Sequence, residues 1–241
     1  MIMFIAIDDT DNKESIGTGR LCRMLADELS QRGLVSNTSI TRHQLLVHPD
    51  IPYTSHNSSA CIEAIANAGI EEVANVSREF LIRNYHDTAN PGLCVADKSG
   101  VPDAVRQFGY RAQREVMDIS DARAIAKDLG VFLWWYGETG QGCIGAIAGV
   151  GLRSTGNDGR FIDLAGIRDL KGVMSVGKVL SQSAIQNVVS VFGEILDDHE
   201  VIDTQDWVRP TLCYNRPVLL VKKNGNLWLQ ADGKNKKAEK Q

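Results

Sequence analysis

The sequence lacks the features that mark membrane-spanning, disulfide-bonded and zinc-binding proteins. No apolar run approaches the roughly 18–20 residues that span a bilayer, and the start, MIMFIAIDDTD, has no basic segment of the secretory type. The five cysteines are scattered without a CxxC pair, and the five histidines show no HxxxH or HExxH spacing. We therefore expect a cytoplasmic protein with free thiols, no zinc site and no membrane partner.

Aromatic residues and excess positive charge are also scarce. Only 6% of the residues are aromatic, the net charge is −4, and the one strongly basic stretch is the lysine-rich end of the chain. Such a chain is not built to coat nucleic acid non-specifically. Its 241 residues are enough for one large domain or two smaller ones with real cores.

The first half of the chain shows alternating strand and helix patterns. The unbroken apolar run at 2–7 predicts a central strand, and apolar spacings of three and four predict a helix over 20–32. Further patterns predict a strand at 40–47, a helix at 70–86, an extended segment at 93–96 and a short helix at 102–108. The segment at 48–59 is rich in turn-forming residues.

The character of the sequence changes near residue 118. Ser120 is expected to cap a new helix that stops at Gly130, and the apolar run 131–136 feeds a glycine-rich segment. Beyond it we predict strands at 161–167 and 217–221, a helix at 179–191, and a tight hairpin at Asn224-Gly225. These patterns predict a mixed α/β (α+β) fold with domains at 1–118 and 119–230 and a disordered tail at 231–241.

The strongest chemical signal is the acidic loop that follows the first strand. Asp8, Asp9 and Asp11 place three carboxylates within four residues, a density that solvent or a cation must relieve. Mg²⁺ prefers such hard oxygen ligands, so these three residues are candidate metal ligands. The alternative is a solvated acidic turn.

Two glycine-rich segments precede predicted helices. Gly17 and Thr18 lie at the start of the first helix, where free N–H groups attract phosphate, although Thr18 acting only as a helix cap is the simpler interpretation. Gly140, Gly142 and Gly145 form a second candidate phosphate loop. Their alternative role is close packing of the helix.

Other polar and aromatic residues are weaker candidates. Three histidines are candidate bases and four cationic residues could stabilise phosphoryl groups, although a hydrogen-bonded surface position is the default for each: His43, His48, His56, Arg20, Arg42, Arg168 and Lys171. The adjacent Trp134 and Trp135 are expected in the core.

Five segments in order carry a family resemblance. IAIDDTDN, HPDIPYTSHNSSA, NPGLCVAD, GQGCIGAIAGVG and NRPVLLVKKNG resemble segments of the archaeal isoleucine-tRNA agmatinylcytidine synthetases. The resemblance implies a kinase-like domain followed by a ferredoxin-like domain, and ATP-dependent activation of a tRNA cytidine for attack by the amine agmatine. The chain stops at 241, so we expect it to lack the family's OB-fold and zinc ribbon.

The resemblance also implies roles for particular residues. Asp8, Asp9 and Asp11 correspond to carboxylates that handle Mg²⁺ and phosphate, with Thr10 as a polar partner, and Thr18 falls near a threonine that becomes phosphorylated. Gly140, Gly142 and Gly145 match the ATP-contacting loop. The chain departs from the family's IPYKTRGNGA segment, because Thr54 stands in the lysine place and Ser55-His56 in the Thr-Arg place.

These observations predict an ATP- and Mg²⁺-dependent ligase or kinase-like enzyme whose partners are ATP, a small amine and tRNA. Two other functions stay open. One is a haloacid-dehalogenase-like phosphohydrolase that uses Asp9-Thr10-Asp11, with Asp197-Asp198 as a late acidic pair. The other is a non-catalytic nucleotide- or RNA-binding module of the same fold.

Overall fold

A computed structural model describes residues 1–12, 14–52 and 56–231. The chain divides into two compact units, Met1–Gly159 and Arg160–Gln241. The predicted boundary at 118/119 lies inside the first unit, because the strand and helix that follow it pair with and pack on the strands that precede it. The predicted tail at 231–241 falls, apart from Ala231, outside the described residues.

The first unit contains five strands and five α-helices among its described residues. In chain order they are β1 (Ile2–Asp8), α1 (Thr18–Gln31), β2 (Val35–Gln44), β3 (Ser58–Ala66), α2 (Ile70–Asn84), β4 (Gly92–Asp97), α3 (Asp103–Ala112), α4 (Ile119–Leu129), β5 (Phe132–Trp135) and α5 (Gly142–Ser154). The strand order in the sheet is β5-β4-β1-β3-β2. The predicted strand at 2–7 and helix at 20–32 are thus confirmed to within two residues.

Strand β1 lies at the centre of this sheet, antiparallel to β3 on one side and to β4 on the other. Residues 3–7 of the strand are buried, which explains why its apolar run does not alternate. The sequence patterns missed β3, because its SSACIEAIA segment begins in small and polar residues and follows a turn-rich stretch. Asp118, rather than Ser120, caps α4, since its side chain accepts the Ser120 N–H.

Helix α5 packs directly against the sheet. Its glycines allow this approach, because a Cβ on Gly149 would collide with Ser59 and lie 3.2 Å from the Cβ of Ala6. On the far side of the helix, a Cβ on Gly151 would strike the backbone of Val105. The small residues of this segment therefore set the distance between α5, the sheet and α3, as the packing interpretation predicts.

The second unit is built mainly from strands. Its elements are β6 (Arg160–Asp163), β7 (Val173–Ser175), α6 (Val176–Gln182), β8 (Asn187–Ser190), β9 (Val201–Asp203), β10 (Thr211–Cys213), β11 (Arg216–Asn224) and β12 (Leu227–Gln230). The predicted hairpin is confirmed, since β11 and β12 pair around Asn224-Gly225 with Gly225 at φ 60°.

The predicted helix at 179–191 is wrong beyond residue 182. Residues 187–190 form β8, which pairs in parallel with Val218–Val221 of β11. The residues that follow form a turn closed by a bridge between Val189 and Ile195 instead of ending a helix. Strand pairing with a distant segment has overridden the local helical pattern here.

Candidate functional site

A cleft of about 120 Å³ opens in the first unit at the carboxyl end of β1. It lies among the acidic loop, the first turn of α1, the start of α5 and the segment after α3. The cleft is lined by Asp8, Asp9, Asp11, Thr18, Leu45, Asp50, Ile51, Pro52, His56, Asn57, Ser58, Ala112, Glu115, Val116, Met117, Gln141, Ile144 and Gly145. The structure thus brings both predicted loops to one cavity.

Asp8 is the last residue of β1, and its carboxylate lies directly against the first turn of α5. A Cβ on Gly145 would overlap the Asp8 carboxylate and lie 2.9 Å from the Asp8 Cβ, so only glycine permits this approach. Burial, followed by the negative charge of Asp9, raises the pKa of Asp8 well above its ordinary value. A cation bound beside this carboxylate would relieve that cost.

Asp9 turns the chain away from the strand. Its φ of 50° lies in the left-handed region, which aspartate tolerates better than most residues and which is common at functional sites. Burial raises the pKa of Asp9, hydrogen bonds from the backbone and side-chain amides of Asn90 lower it, and the charge of Asp11 raises it further. Asp9 is therefore held in place by a residue from another segment.

Thr10, Thr18 and Asp11 form a short hydrogen-bonded chain. The Thr10 hydroxyl donates to Thr18 Oγ1 at 3.0 Å, and the Thr18 hydroxyl donates to Asp11 Oδ1 at 2.9 Å. Thr18 does not cap α1, because the N-cap is Gly17 and no side chain caps this helix end. The first turn of α1 also carries no acidic residue, so its N–H groups suit an anionic ligand.

The three glycines of the second loop have different surroundings. Gly145 lines the cleft, whereas a Cβ on Gly142 would collide with the backbones of Asn90 and Gly92. Gly140 has φ 73° and lies against the ring of Trp135. The first two glycines of the pattern thus allow tight packing, and the third is the one at the cavity.

Sequence reasoning missed the loop before β4. His86 N–H donates to the Thr10 carbonyl at 3.1 Å, and Asn12 Nδ2 lies 3.1 Å from His86 Nε2. Asn90 Oδ1 accepts the Thr139 N–H at 2.8 Å, and its carbonyl accepts the Gly142 N–H at 3.0 Å. The signal that could have identified this loop is the Asn90-Pro91-Gly92 tripeptide, a turn signal inside a family-like segment.

The carboxylates do not form a preassembled metal cage. Among the described residues, no group of three or more His, Cys, Asp or Glu side chains converges as a metal site. Mg²⁺ does not require one, since it commonly takes one or two carboxylates together with waters and phosphate oxygens. The metal role of Asp8, Asp9 and Asp11 therefore stays a prediction.

The other candidate residues lie in several places. His43 is fully buried, with Nδ1 2.7 Å from Asp158 Oδ1, and Arg42 Nε donates to Ser58 Oγ at 2.8 Å beside the cleft. Arg168 lies in the second unit with its guanidinium over Trp207. Thr54 and Ser55 lie outside the described residues.

The lining of the cleft is acidic. Its described residues include Asp8, Asp9, Asp11, Asp50 and Glu115, but no lysine or arginine. An anionic ligand would enter such a cleft only with a cation, whereas a cationic ligand would be attracted directly. No helix of the described chain is both long and apolar enough to cross a membrane.

Comparisons with known proteins agree with the family resemblance. No family model matches the chain. The tRNA(Ile2) 2-agmatinylcytidine synthetase TiaS of Pyrococcus horikoshii is 30% identical over 159 residues, which cover 63% of this chain and 36% of the relative. The enzyme of the same name from Methanosarcina mazei is 30% identical over 171 residues, covering 68% and 39%. The chain thus spans well under half the length of these relatives.

Solved structures give the same result for the fold. A tRNA fluorescent labeling enzyme matches with a TM-score of 0.53 at 25% identity, over 63% of this chain and 36% of that one. The TiaS–tRNA(Ile2)–ATP complex matches with a TM-score of 0.53 at 23% identity, over 63% of this chain and 36% of that one. These matches confirm the mixed α/β fold class. Across the matched part, the chain is a homologue of the tRNA(Ile2) 2-agmatinylcytidine synthetases.

Proposed function

We propose that the first unit binds ATP with Mg²⁺ in this cleft and transfers a phosphoryl group to an acceptor oxygen, so that an amine can attack the carbon that bears this oxygen and displace phosphate. The observation that carries the proposal is the meeting of three carboxylates with the first turns of α1 and α5 around one cavity. Phosphoryl transfer asks chiefly for positioned metal, backbone donors and orientation.

The donor set of the acidic loop fits Mg²⁺. Asp8 and Asp9 are partly buried, their pKa values are raised by burial and by neighbouring carboxylates, and both line the cavity. A divalent cation shared with the phosphates would offset that repulsion and let a polyanion enter an acidic cleft. Bound there, Mg²⁺ would neutralise charge on the transferred phosphoryl group.

The two helix ends would hold the phosphates. Neither α1 nor α5 has a side-chain cap or an acidic residue in its first turn. The Thr18 hydroxyl, which already bonds to Asp11, and the Gln141 side chain both line the cavity. These groups would orient the phosphates relative to the carboxylates.

The lining of the cleft also fits an amine. Asp50 and Glu115 line it together with apolar residues such as Leu45, Val116 and Met117. Two carboxylates beside an apolar wall suit a cationic group on an alkyl stem. Because the relatives are named as tRNA(Ile2) agmatinylcytidine synthetases, we propose a tRNA cytidine as the acceptor and a small amine of the agmatine type as the nucleophile.

Calorimetry with the β,γ-methylene analogue of ATP tests the site. Asp9→Asn should abolish Mg²⁺-dependent binding, whereas Asp27→Asn, the same change on the exposed face of α1, should not. Equal binding by wild type and Asp9→Asn would refute the site assignment.

Turnover is tested by phosphate release with ATP, tRNA(Ile2) and agmatine. Release and product formation that require all three support the ligase reaction. An aspartyl-phosphate trapped on Asp9 would instead favour the phosphohydrolase, and tight ATP binding without turnover would favour the binding module.

A further inference from the structure

Asn90 connects the two loops that form the proposed nucleotide site. It follows α2, directly precedes Pro91 and β4, and is partly buried. Its carbonyl accepts the Gly142 N–H at 3.0 Å, and its Oδ1 accepts the Thr139 N–H at 2.8 Å and the Gly140 N–H at 3.5 Å. These three donors span the entrance to α5.

The donor groups of the same residue act on the acidic loop. Hydrogen bonding from the backbone N–H and the side-chain amide of Asn90 lowers the pKa of the Asp9 carboxylate. Asn90 therefore bonds to the acidic loop with its donors and to the glycine loop with its acceptors. An amide supplies both kinds of group in a fixed geometry, which neither a carboxylate nor a hydroxyl of similar size does.

The surroundings leave little freedom for this residue. A Cβ on Gly137, which has φ 92°, would lie 2.6 Å from Asn90 Oδ1, and Pro91 restricts the backbone of Asn90. Asp9 itself has a positive φ of 50°, a conformation that needs support from its neighbours. The bonds from Asn90 supply such support.

We infer that Asn90 is a positioning residue for this site, which fixes the Asp9 carboxylate relative to the loop at 137–142. This role rests on the proposed function, because the ligand that the two loops would bind is Mg·ATP. Asn90 itself acts through Asp9 and through the backbone of the loop.

Two substitutions separate the two sets of bonds. Asn90→Asp keeps an oxygen for Thr139 N–H but replaces the amide donor with a second carboxylate beside Asp9. Asn90→Ala removes the side-chain bonds of both sets and keeps those of the backbone, among them the carbonyl that accepts the Gly142 N–H. Asn67→Asp is the matched control, because it also replaces an amide donor with a carboxylate in the same unit but outside the cleft; the Asn67 amide donates to the Gly33 carbonyl.

Binding of the methylene analogue of ATP should weaken about tenfold or more in both Asn90 variants and stay unchanged in Asn67→Asp. Raising the Mg²⁺ concentration should restore binding in Asn90→Asp, where the cation screens the carboxylate pair, but not in Asn90→Ala. Equal Mg²⁺ dependence in the two variants, or losses that merely follow their unfolding temperatures, would overturn the inference.

A ligand-free measurement separates this inference from the proposed function. Amide hydrogen exchange at Thr139 should be faster in Asn90→Ala than in wild type and close to wild type in Asn90→Asp, since only alanine removes the acceptor. If wild type fails to bind the analogue while this exchange pattern is observed, the proposed function is wrong and the loop coupling stands. Unchanged exchange in Asn90→Ala would overturn the coupling itself.

Discussion

Gly145→Ala should destabilise the first unit, although the same change in an open helix stabilises it. Gly145 lies in the first turn of α5, where alanine normally gains about 1 kcal/mol over glycine. Here the new Cβ would overlap the Asp8 carboxylate and lie 2.9 Å from the Asp8 Cβ. Either the carboxylate rotates out of place or α5 moves away from β1.

The size of the effect follows from two opposing contributions. Inserting a methyl group into a tightly packed contact costs about 1–3 kcal/mol, which outweighs the gain in helix propensity. We expect a net loss of about 1 kcal/mol, equivalent to a fall of about 2–4 °C in the unfolding temperature. Because Asp8 lines the cleft, Mg²⁺-dependent binding of the ATP analogue should weaken about tenfold as well.

Urea unfolding and calorimetry on wild type, Gly145→Ala and Gly69→Ala measure both quantities. Gly69 caps α2 in the same unit, and a Cβ there would meet nothing within 4 Å. Gly69→Ala should therefore cost only about 0.5 kcal/mol and leave nucleotide binding intact. A Gly145→Ala variant that is more stable than wild type and binds the analogue equally well would refute the reasoning.

Three further outcomes follow from burial and charge. Burial and the charge of Asp9 raise the pKa of Asp8 above its ordinary 3.8, so the ionised carboxylate opposes folding at pH 7. Asp8→Asn should therefore stabilise the ligand-free protein by about 1 kcal/mol at that pH. The gain in stability should shrink as the pH falls through the folded-state pKa of Asp8. If urea unfolding at pH 7 shows no gain, the burial argument is wrong. Burial raises the pKa of Cys61 to about 12, whereas Cys213 is only partly buried, so a thiol reagent should label Cys213 first and Cys213→Ser should remove the fast phase. His43→Ala removes the hydrogen-bond partner of Asp158 and Thr41 and should lower the free energy of unfolding by about 2–4 kcal/mol. A decrease below about 1 kcal/mol in urea unfolding would show that this network does not stabilise the fold.

Local patterns predicted the elements around the acidic loop well. The apolar run of β1 and the spacing of Leu21, Leu25 and Leu29 in α1 report burial that is visible within a short window. The same holds for the Asn224-Gly225 hairpin. The patterns failed at β3 and β8, because the identity of a strand with small or polar residues depends on its pairing partners.

The candidate site was predictable as a set of residue types and only partly as an arrangement. The acidic triplet and the glycine loop were visible as motifs, but nothing local distinguishes Gly145, which faces the cavity, from Gly142, which packs on Gly92. Asn90 carried no signal of its own beyond a turn tripeptide. Its role depends on contacts with Asp9 and Thr139, residues 81 and 49 positions away.

The sequence by itself determined the local chemistry of this protein: a buried strand that ends in carboxylates, a helix that begins at Gly17-Thr18, and a glycine-rich helix entrance. Tertiary structure alone decided that these three meet in one acidic cleft, and that the chain divides after Gly159 instead of near residue 118. The physical reason is that backbone propensity and hydrophobic periodicity act over a few residues. Strand pairing and close packing join residues that are far apart in the chain, such as Asp8 and Gly145, and only folding brings them together.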